Sequence, residues 1–226
     1  MATMIANIAK SFLNIVYPLR CASCSTALDF RNEWGVCKPC LARVRPCPEP
    51  VKNAQTANFD RASIAYLFDG PLKEIVHSFK YKNRVSLGRI LSKLLIDFLA
   101  DNASVMDGVD IITFVPLRKK RLRQREFNQS KILALAISKR FAVPVMDTLE
   151  KTKDTGFQSE LKRDERLANL KGAFRIRTST RVEGLTALLV DDVMTTGSTL
   201  NECAGALKDA GARQVRALAL AGRAMT

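Results

Sequence analysis

The chain has 226 residues, which against roughly 150 per domain fits one ordinary domain with a small appendage. Nearly half of it, 47%, is hydrophobic, enough for a core, while 36 Lys and Arg against 22 Asp and Glu give a formal charge of +14. Only 26% of residues are charged, so a disordered polycation is excluded; nucleic acid, a phosphorylated metabolite and an anionic membrane surface are the acidic partners left open.

The first predicted element is an amphipathic helix over about 4–17, where Met4, Ile5, Ile8, Phe12, Ile15 and Val16 recur at helical spacing before Pro18. Its apolar face suits packing on the protein's own body; a membrane-surface helix is the alternative, with Lys10 as its one basic anchor. No stretch approaches the run of about 20 apolar residues that a membrane span needs, and the N-terminus lacks a basic n-region, so the expected location is a reducing cytoplasm.

Next come Cys21-x-x-Cys24 and Cys37-x-x-Cys40, separated by twelve residues. Two residues between thiols let a tight turn aim both sulfurs at one ion, and two such turns form the sequence pattern of a four-thiolate zinc ribbon. A redox pair or unrelated thiols are the competing readings. Four thiolates leave no open coordination position, so the zinc would be structural, contributing roughly 10–16 kcal/mol to the folding of a segment too short to build its own core. Cys47 has no such partner, and Cys203 falls in a predicted helix as a core residue.

A Pro-rich, polar stretch around 46–58 reads as a linker, dividing the chain into a helix-plus-ribbon unit over 1–52 and a larger domain over 58–226. In the latter, strands are predicted at 62–68, 110–116, 143–149, 173–176, 186–192 and 214–221, with helices at 71–81, 86–101, 129–141 and 198–211 between them. A basic loop spans 117–127, and a polar loop with a short helix covers 151–170. Alternating strands and helices imply an α/β fold, a parallel sheet with helices on both faces and a ligand at the carboxyl ends of the strands.

The most informative stretch is TALLVDDVMTTGSTLNECAGAL. A buried strand delivers Asp191 and Asp192 to its end, and Thr195, Thr196, Gly197, Ser198 and Thr199 then open a helix. Backbone amides there, with hydroxyls beside them and a glycine for the tight turn, make a phosphate cradle. It matches neither the nucleotide-hydrolase nor the dinucleotide pattern. A plain helix cap would not require paired acids; a sugar phosphate explains both, its phosphate on the loop and its hydroxyls donating to the carboxylates.

LLVDDVMTTGST resembles the phosphoribosyl pyrophosphate (PRPP) signature of type I phosphoribosyltransferases. By that resemblance Asp191 and Asp192 are the catalytic acids, holding the ribose hydroxyls, Thr195 to Thr199 take the 5-phosphate, and Mg accompanies the PRPP. The cysteine ribbon, IVHSFKY, FVPLRKKRLRQREFNQ, the later Thr155, Gln158, Leu161, Arg166 and Asn169, and this signature, in order, resemble the competence protein F family over nearly the whole chain. That resemblance implies a type I phosphoribosyltransferase-like fold preceded by a zinc ribbon, and a link to DNA uptake or utilisation. Two positions depart from the family's usual pattern: Glu126 stands where R-G-F-N-Q has glycine, and Lys151 where arginine is usual.

Six cations, Arg118, Lys119, Lys120, Arg121, Arg123 and Arg125, fall within eight residues at the ligand edge of the sheet. Arg125 is expected to face the pyrophosphate, and the other five a nucleic-acid backbone, with an affinity that falls steeply with salt. Tyr81, Phe127 and Phe157 are candidates for base stacking or for ordinary packing. The segment 151–170 is long enough for a lid, with Lys151, Lys153, Arg163 and Arg166 supplying charge to a leaving pyrophosphate. His77, the single histidine, is read as a helix-surface residue. The expected function is a cytoplasmic, zinc-containing, PRPP-binding protein that handles single-stranded DNA. Two alternatives stand beside it: an active Mg-dependent phosphoribosyltransferase on a base or amine, and an adaptor docking a DNA-uptake helicase or channel.

Overall fold

A computed structural model describes residues 19–29, 31–53, 57–81, 84–152 and 172–223. The helix expected over 4–17 and most of the 151–170 segment, including Lys153, Phe157, Arg163 and Arg166, lie outside the described residues. In chain order the helices are α1 (Lys38–Ala42), α2 (Gly70–Tyr81), α3 (Leu87–Asp101), α4 (Lys119–Arg125), α5 (Gln129–Phe141) and α6 (Ser198–Asp209). The strands are β1 (Val51–Asn53), β2 (Arg61–Leu67), β3 (Ile111–Phe114), β4 (Leu149–Lys151), β5 (Phe174–Ile176), β6 (Thr186–Met194) and β7 (Gln214–Gly222).

Five strands form one sheet in the order β1-β2-β7-β6-β3, of which β2, β7, β6 and β3 run parallel and β1 is an antiparallel edge. The central strands are apolar on both faces, as a parallel sheet covered on both sides requires. Leu188, Val190, Leu218 and Leu220 face one side and pack with Ile75 and Phe79 of α2, Leu91 and Leu95 of α3, and Leu133 and Ile137 of α5. Ala187, Leu189, Ala217 and Ala219 face the other, against Leu200, Cys203 and Leu207 of α6 and Leu149 and Phe174 of β4 and β5. Cys203 is fully buried there, as expected. The expected α/β class, with a parallel sheet between layers of helices, is what the chain forms.

Three expectations need correction. Part of the predicted linker is β1, which pairs Val51 with Ser63 and Lys52 with Ala62 on the sheet's edge; three residues in a Pro-rich run give too little alternation to be read as a strand. The strand expected over 143–149 is a single parallel bridge, Ile112 to Val145, because Pro144 has no N–H for a ladder. The chain then turns into β4, which pairs antiparallel with β5 outside the main sheet. The basic loop is helical: α4 has no buried residue, so no apolar stripe marked it in the sequence.

The cysteine segment packs directly on this body. Cys21, Ala22, Leu28, Val36 and Cys40 share a cluster with Ile75, Phe79 and Leu87. The buried Ser78 hydroxyl donates to the Ala22 carbonyl at 3.1 Å, and Arg84 donates to the Arg20 carbonyl at 2.9 Å.

Candidate functional site: an acid pair and anion loop beside a four-cysteine centre

Strand β6 runs past its buried stretch to Met194 and so carries Asp191 and Asp192 out to the carboxyl edge of the sheet. There the helices that follow the adjacent strands β3 and β6 leave toward opposite faces, α5 to one and α6 to the other, which is where open parallel sheets hold ligands. An open hollow of about 210 Å³ at this edge is lined by Asp191 and the residues from Val193 to Leu200.

The loop is built by one backbone requirement. Gly197 has φ +75°, in the left-handed region that favours glycine, and a Cβ there would also displace the Met194 methyl, 2.7 Å away. As the N-cap of α6 it has no side chain with which to cap the helix's first N–H groups. The Thr196 and Ser198 hydroxyls lie 2.8 Å apart, Ser198 is buried, and Thr195 and Thr196 are exposed. The Ser198 N–H reaches the Thr196 hydroxyl only at 3.5 Å, and exposed hydroxyls before a twelve-residue helix with a glycine N-cap and no acid in its first turn suit an anion.

The two acids are held differently. Asp191 Oδ1 accepts from the Ser130 hydroxyl at 2.8 Å and from the Asp192 amide at 2.9 Å. Burial first, and the neighbouring Asp192 charge second, push the Asp191 carboxyl up to about 7, against opposing pulls from Lys80 and Ser130. Asp192, 7% exposed, is paired through Oδ2 with Lys80 Nζ at 2.8 Å. Lys80, in the last turn of α2, lies in IVHSFKY, and Ser130 directly follows FNQ. Neither carried a role in the sequence reading; a cation beside an aromatic pair in the one and a hydroxyl at a helix start in the other were the only signals available.

Among the cations of the basic segment, Arg125 turns inward. Its guanidinium lies 4.9 Å from the Tyr81 ring centroid and donates to the Tyr81 hydroxyl at 3.2 Å and to Gln129 Oε1 at 3.3 Å. This brings it beside Tyr81, the neighbour in sequence of Lys80. Arg118 is drawn elsewhere, donating to the Thr152 carbonyl at 2.7 Å. Lys119, Lys120 and Arg123 are exposed, and Arg121 is half-buried. Lys151 sits on β4 with Nζ 5.2 Å from the Phe174 ring centroid. Glu126 ends α4 in the left-handed region at φ +63°, which accounts for glycine at this place in the resembled pattern. Phe127 packs on Phe79, with centroids 5.1 Å apart, and is a packing residue rather than a base platform.

The four thiols converge as the spacing requires, in a cluster that could hold a metal ion. The Sγ atoms of Cys21, Cys24, Cys37 and Cys40 all lie within 4.8 Å of one another, and Cys24 and Cys37 are 3.7 Å apart. Thiolates bound to zinc at about 2.3 Å in a tetrahedron lie about 3.8 Å from one another, so the set fits that ion. Each pair sits on its own tight turn: Ser25 N–H closes on the Cys21 carbonyl at 3.0 Å, and Cys37 caps α1, which carries Cys40. The Cys37 amide donates to Cys21 Sγ at 3.4 Å. A hydrogen bond with Thr26 draws the Cys24 thiol down to about 6, whereas burial pushes Cys40 up to about 12. Cys47 is buried away from this set, its thiol 3.6 Å from the Glu49 carbonyl.

Residues 128–226 match the phosphoribosyl transferase domain family. The chain is 29% identical over 221 residues to the DNA utilization protein YhgH of Salmonella typhimurium, covering 89% of this chain and 96% of that protein. It is 28% identical over 224 residues to competence protein F of Haemophilus influenzae, covering 91% and 97%. Among solved structures it resembles the glutamine PRPP amidotransferase from B. subtilis complexed with ADP and GMP. That likeness covers 64% of this chain and 26% of the other, at 20% identity and a TM-score of 0.38.

Proposed function

Because the chain is a homologue of competence protein F and the DNA utilization proteins and carries a phosphoribosyl transferase domain, we propose that it binds PRPP and handles single-stranded DNA during its uptake or utilisation. The observation that carries the ligand reading is the continuity of β6, the acid pair and the glycine-capped start of α6. In this reading the amides and hydroxyls from Thr195 to Thr199 take the 5-phosphate. Asp191 and Asp192 accept hydrogen bonds from the ribose 2- and 3-hydroxyls. Lys80 balances the Asp192 charge through its 2.8 Å ion pair. Mg arriving with PRPP would offset the charge of the pyrophosphate, and Arg125 would face that group from the side of α2.

The four cysteines hold a structural zinc in this reading, and a reducing cytoplasm is the compartment that keeps those thiols available. The cations of α4 give the nucleic acid its electrostatic hold.

Calorimetric titration with PRPP, ribose 5-phosphate and pyrophosphate in the presence of Mg tests the ligand. PRPP is expected to bind most tightly, ribose 5-phosphate more weakly, and the Asp191→Asn, Asp192→Asn double variant to lose at least roughly tenfold in PRPP affinity, the cost of about one charge-assisted hydrogen bond. Pyrophosphate binding as tightly as PRPP, or a variant of unchanged affinity, would overturn the assignment.

A further inference from the structure

One surface of α2 is not used by the ligand site. His77 and Tyr81, four residues apart and both exposed, stand on one face of the helix with ring centroids 5.8 Å apart. Phe68, just before the helix, stacks on His77 at 6.4 Å with an interplanar angle of 23°. Arg125 closes the other end over Tyr81. Four planar groups thus form a file along the protein surface, and Tyr81, at 62% exposure, is its most open member.

A single exposed aromatic residue is ordinary. This file differs in what it joins. At the Arg125 end it runs directly into α4, whose Lys119, Lys120, Arg121 and Arg123 precede Arg125 on a helix with no buried residue. Asp69, next to Phe68, is paired with Arg45, and Glu74, three residues before His77, is exposed on the same helix. Next to Tyr81, Lys80 is engaged with Asp192. Aromatic faces give a nucleobase a stacking partner whatever its sequence, and a neighbouring run of cations tracks the phosphates; together they are the recognition chemistry of a single strand with its bases unpaired.

We propose that the Phe68–His77–Tyr81–Arg125 file is a base-stacking platform for single-stranded DNA whose phosphates lie along α4. The inference rests on the nucleic-acid half of the function proposed above, and it adds where the bases go. Because Lys80 adjoins Tyr81, a strand on the platform passes beside the acid pair.

The test uses the full-length protein and two oligonucleotides of equal length, a thymidylate single strand and an abasic strand that keeps the phosphates without bases. Wild type is expected to prefer the thymidylate strand. His77→Ala and Tyr81→Ala should each weaken thymidylate binding by roughly 5- to 100-fold, the usual cost of one lost stack. Neither should change affinity for the abasic strand or the salt dependence, since no cation is lost. Tyr81→Phe keeps the ring face and is expected to bind nearly as wild type. Both sites are exposed, so the substitutions leave the core intact. If wild type binds thymidylate and the His77→Ala, Tyr81→Ala double variant binds it equally well, the platform is wrong while DNA binding stands. If wild type binds neither strand, the nucleic-acid reading fails and the platform with it.

Discussion

Asp191 is the residue whose ionisation the fold controls most visibly. Half-buried, bonded to Ser130 and next to Asp192, its carboxyl is raised from an ordinary value to about 7. A raised folded-state pKa means that the folded state favours the protonated acid, so the stabilising contribution is complete at pH values below the ordinary carboxylate range and is lost as pH climbs toward 7. Asparagine cannot ionise. The stability of Asp191→Asn relative to wild type is therefore expected to improve steadily from pH 4 to pH 8 in denaturant titrations of the ligand-free protein; a difference that stays flat over that range would contradict the burial argument. At the same scale, the sequence disclosed which residues carry the acid pair and the loop, because Asp191, Asp192 and Gly197 are uncommon choices with one obvious chemistry. It did not disclose Lys80 and Ser130, whose roles come from α2 and α5 meeting the end of β6, a juxtaposition more than 60 residues apart in the chain for Ser130.

Among the elements, the cysteine segment was the most legible, since two C-x-x-C turns prescribe a four-sulfur cluster wherever they are placed, and the sulfurs do converge. What the spacing could not convey is that Cys21, Val36 and Cys40 would be buried against α2 and α3. Metal removal should therefore loosen more than the ribbon. Chelator treatment, or Cys37→Ser, is expected to lower the melting temperature of the whole chain and to speed amide exchange in α2, and metal analysis should return one zinc per chain; a chain that melts identically without metal would refute a structural ion. The parallel strands were legible because runs such as Ala187–Val190 are apolar on both faces. Helix α4 was not, because exposed KKRLRQR has no periodicity to distinguish a helix from a charged loop. The run over 143–149 reads as a strand from its pattern, and Pro144, with no N–H to donate, limits it to one bridge.

At the scale of the molecule, the two surfaces proposed above, for PRPP and for a single strand, belong to one body. The carboxyl end of β6 carries the acid pair and leads into the Thr195–Thr199 loop, while Arg125 of α4 lies over Tyr81 of α2 and joins the cations of one helix to the aromatic face of the other. The formal +14 is thus not a uniform property: six of its cations lie between residues 118 and 125, and Arg125 among them is turned toward Tyr81 rather than outward. No helix among the described residues is long and apolar enough to cross a membrane. The central claim is that the β6–α6 edge binds PRPP, and thermal denaturation with PRPP, Mg and a single-stranded oligonucleotide, added separately and together, tests it most directly. At a hundred times its dissociation constant, PRPP with Mg is expected to raise the wild-type melting temperature by about 5–10 °C, without the oligonucleotide and again in its presence, and to raise that of the Asp191→Asn, Asp192→Asn variant by about half as much or less. A wild-type protein that melts at the same temperature with and without PRPP, or a double variant stabilised as much as wild type, would contradict it.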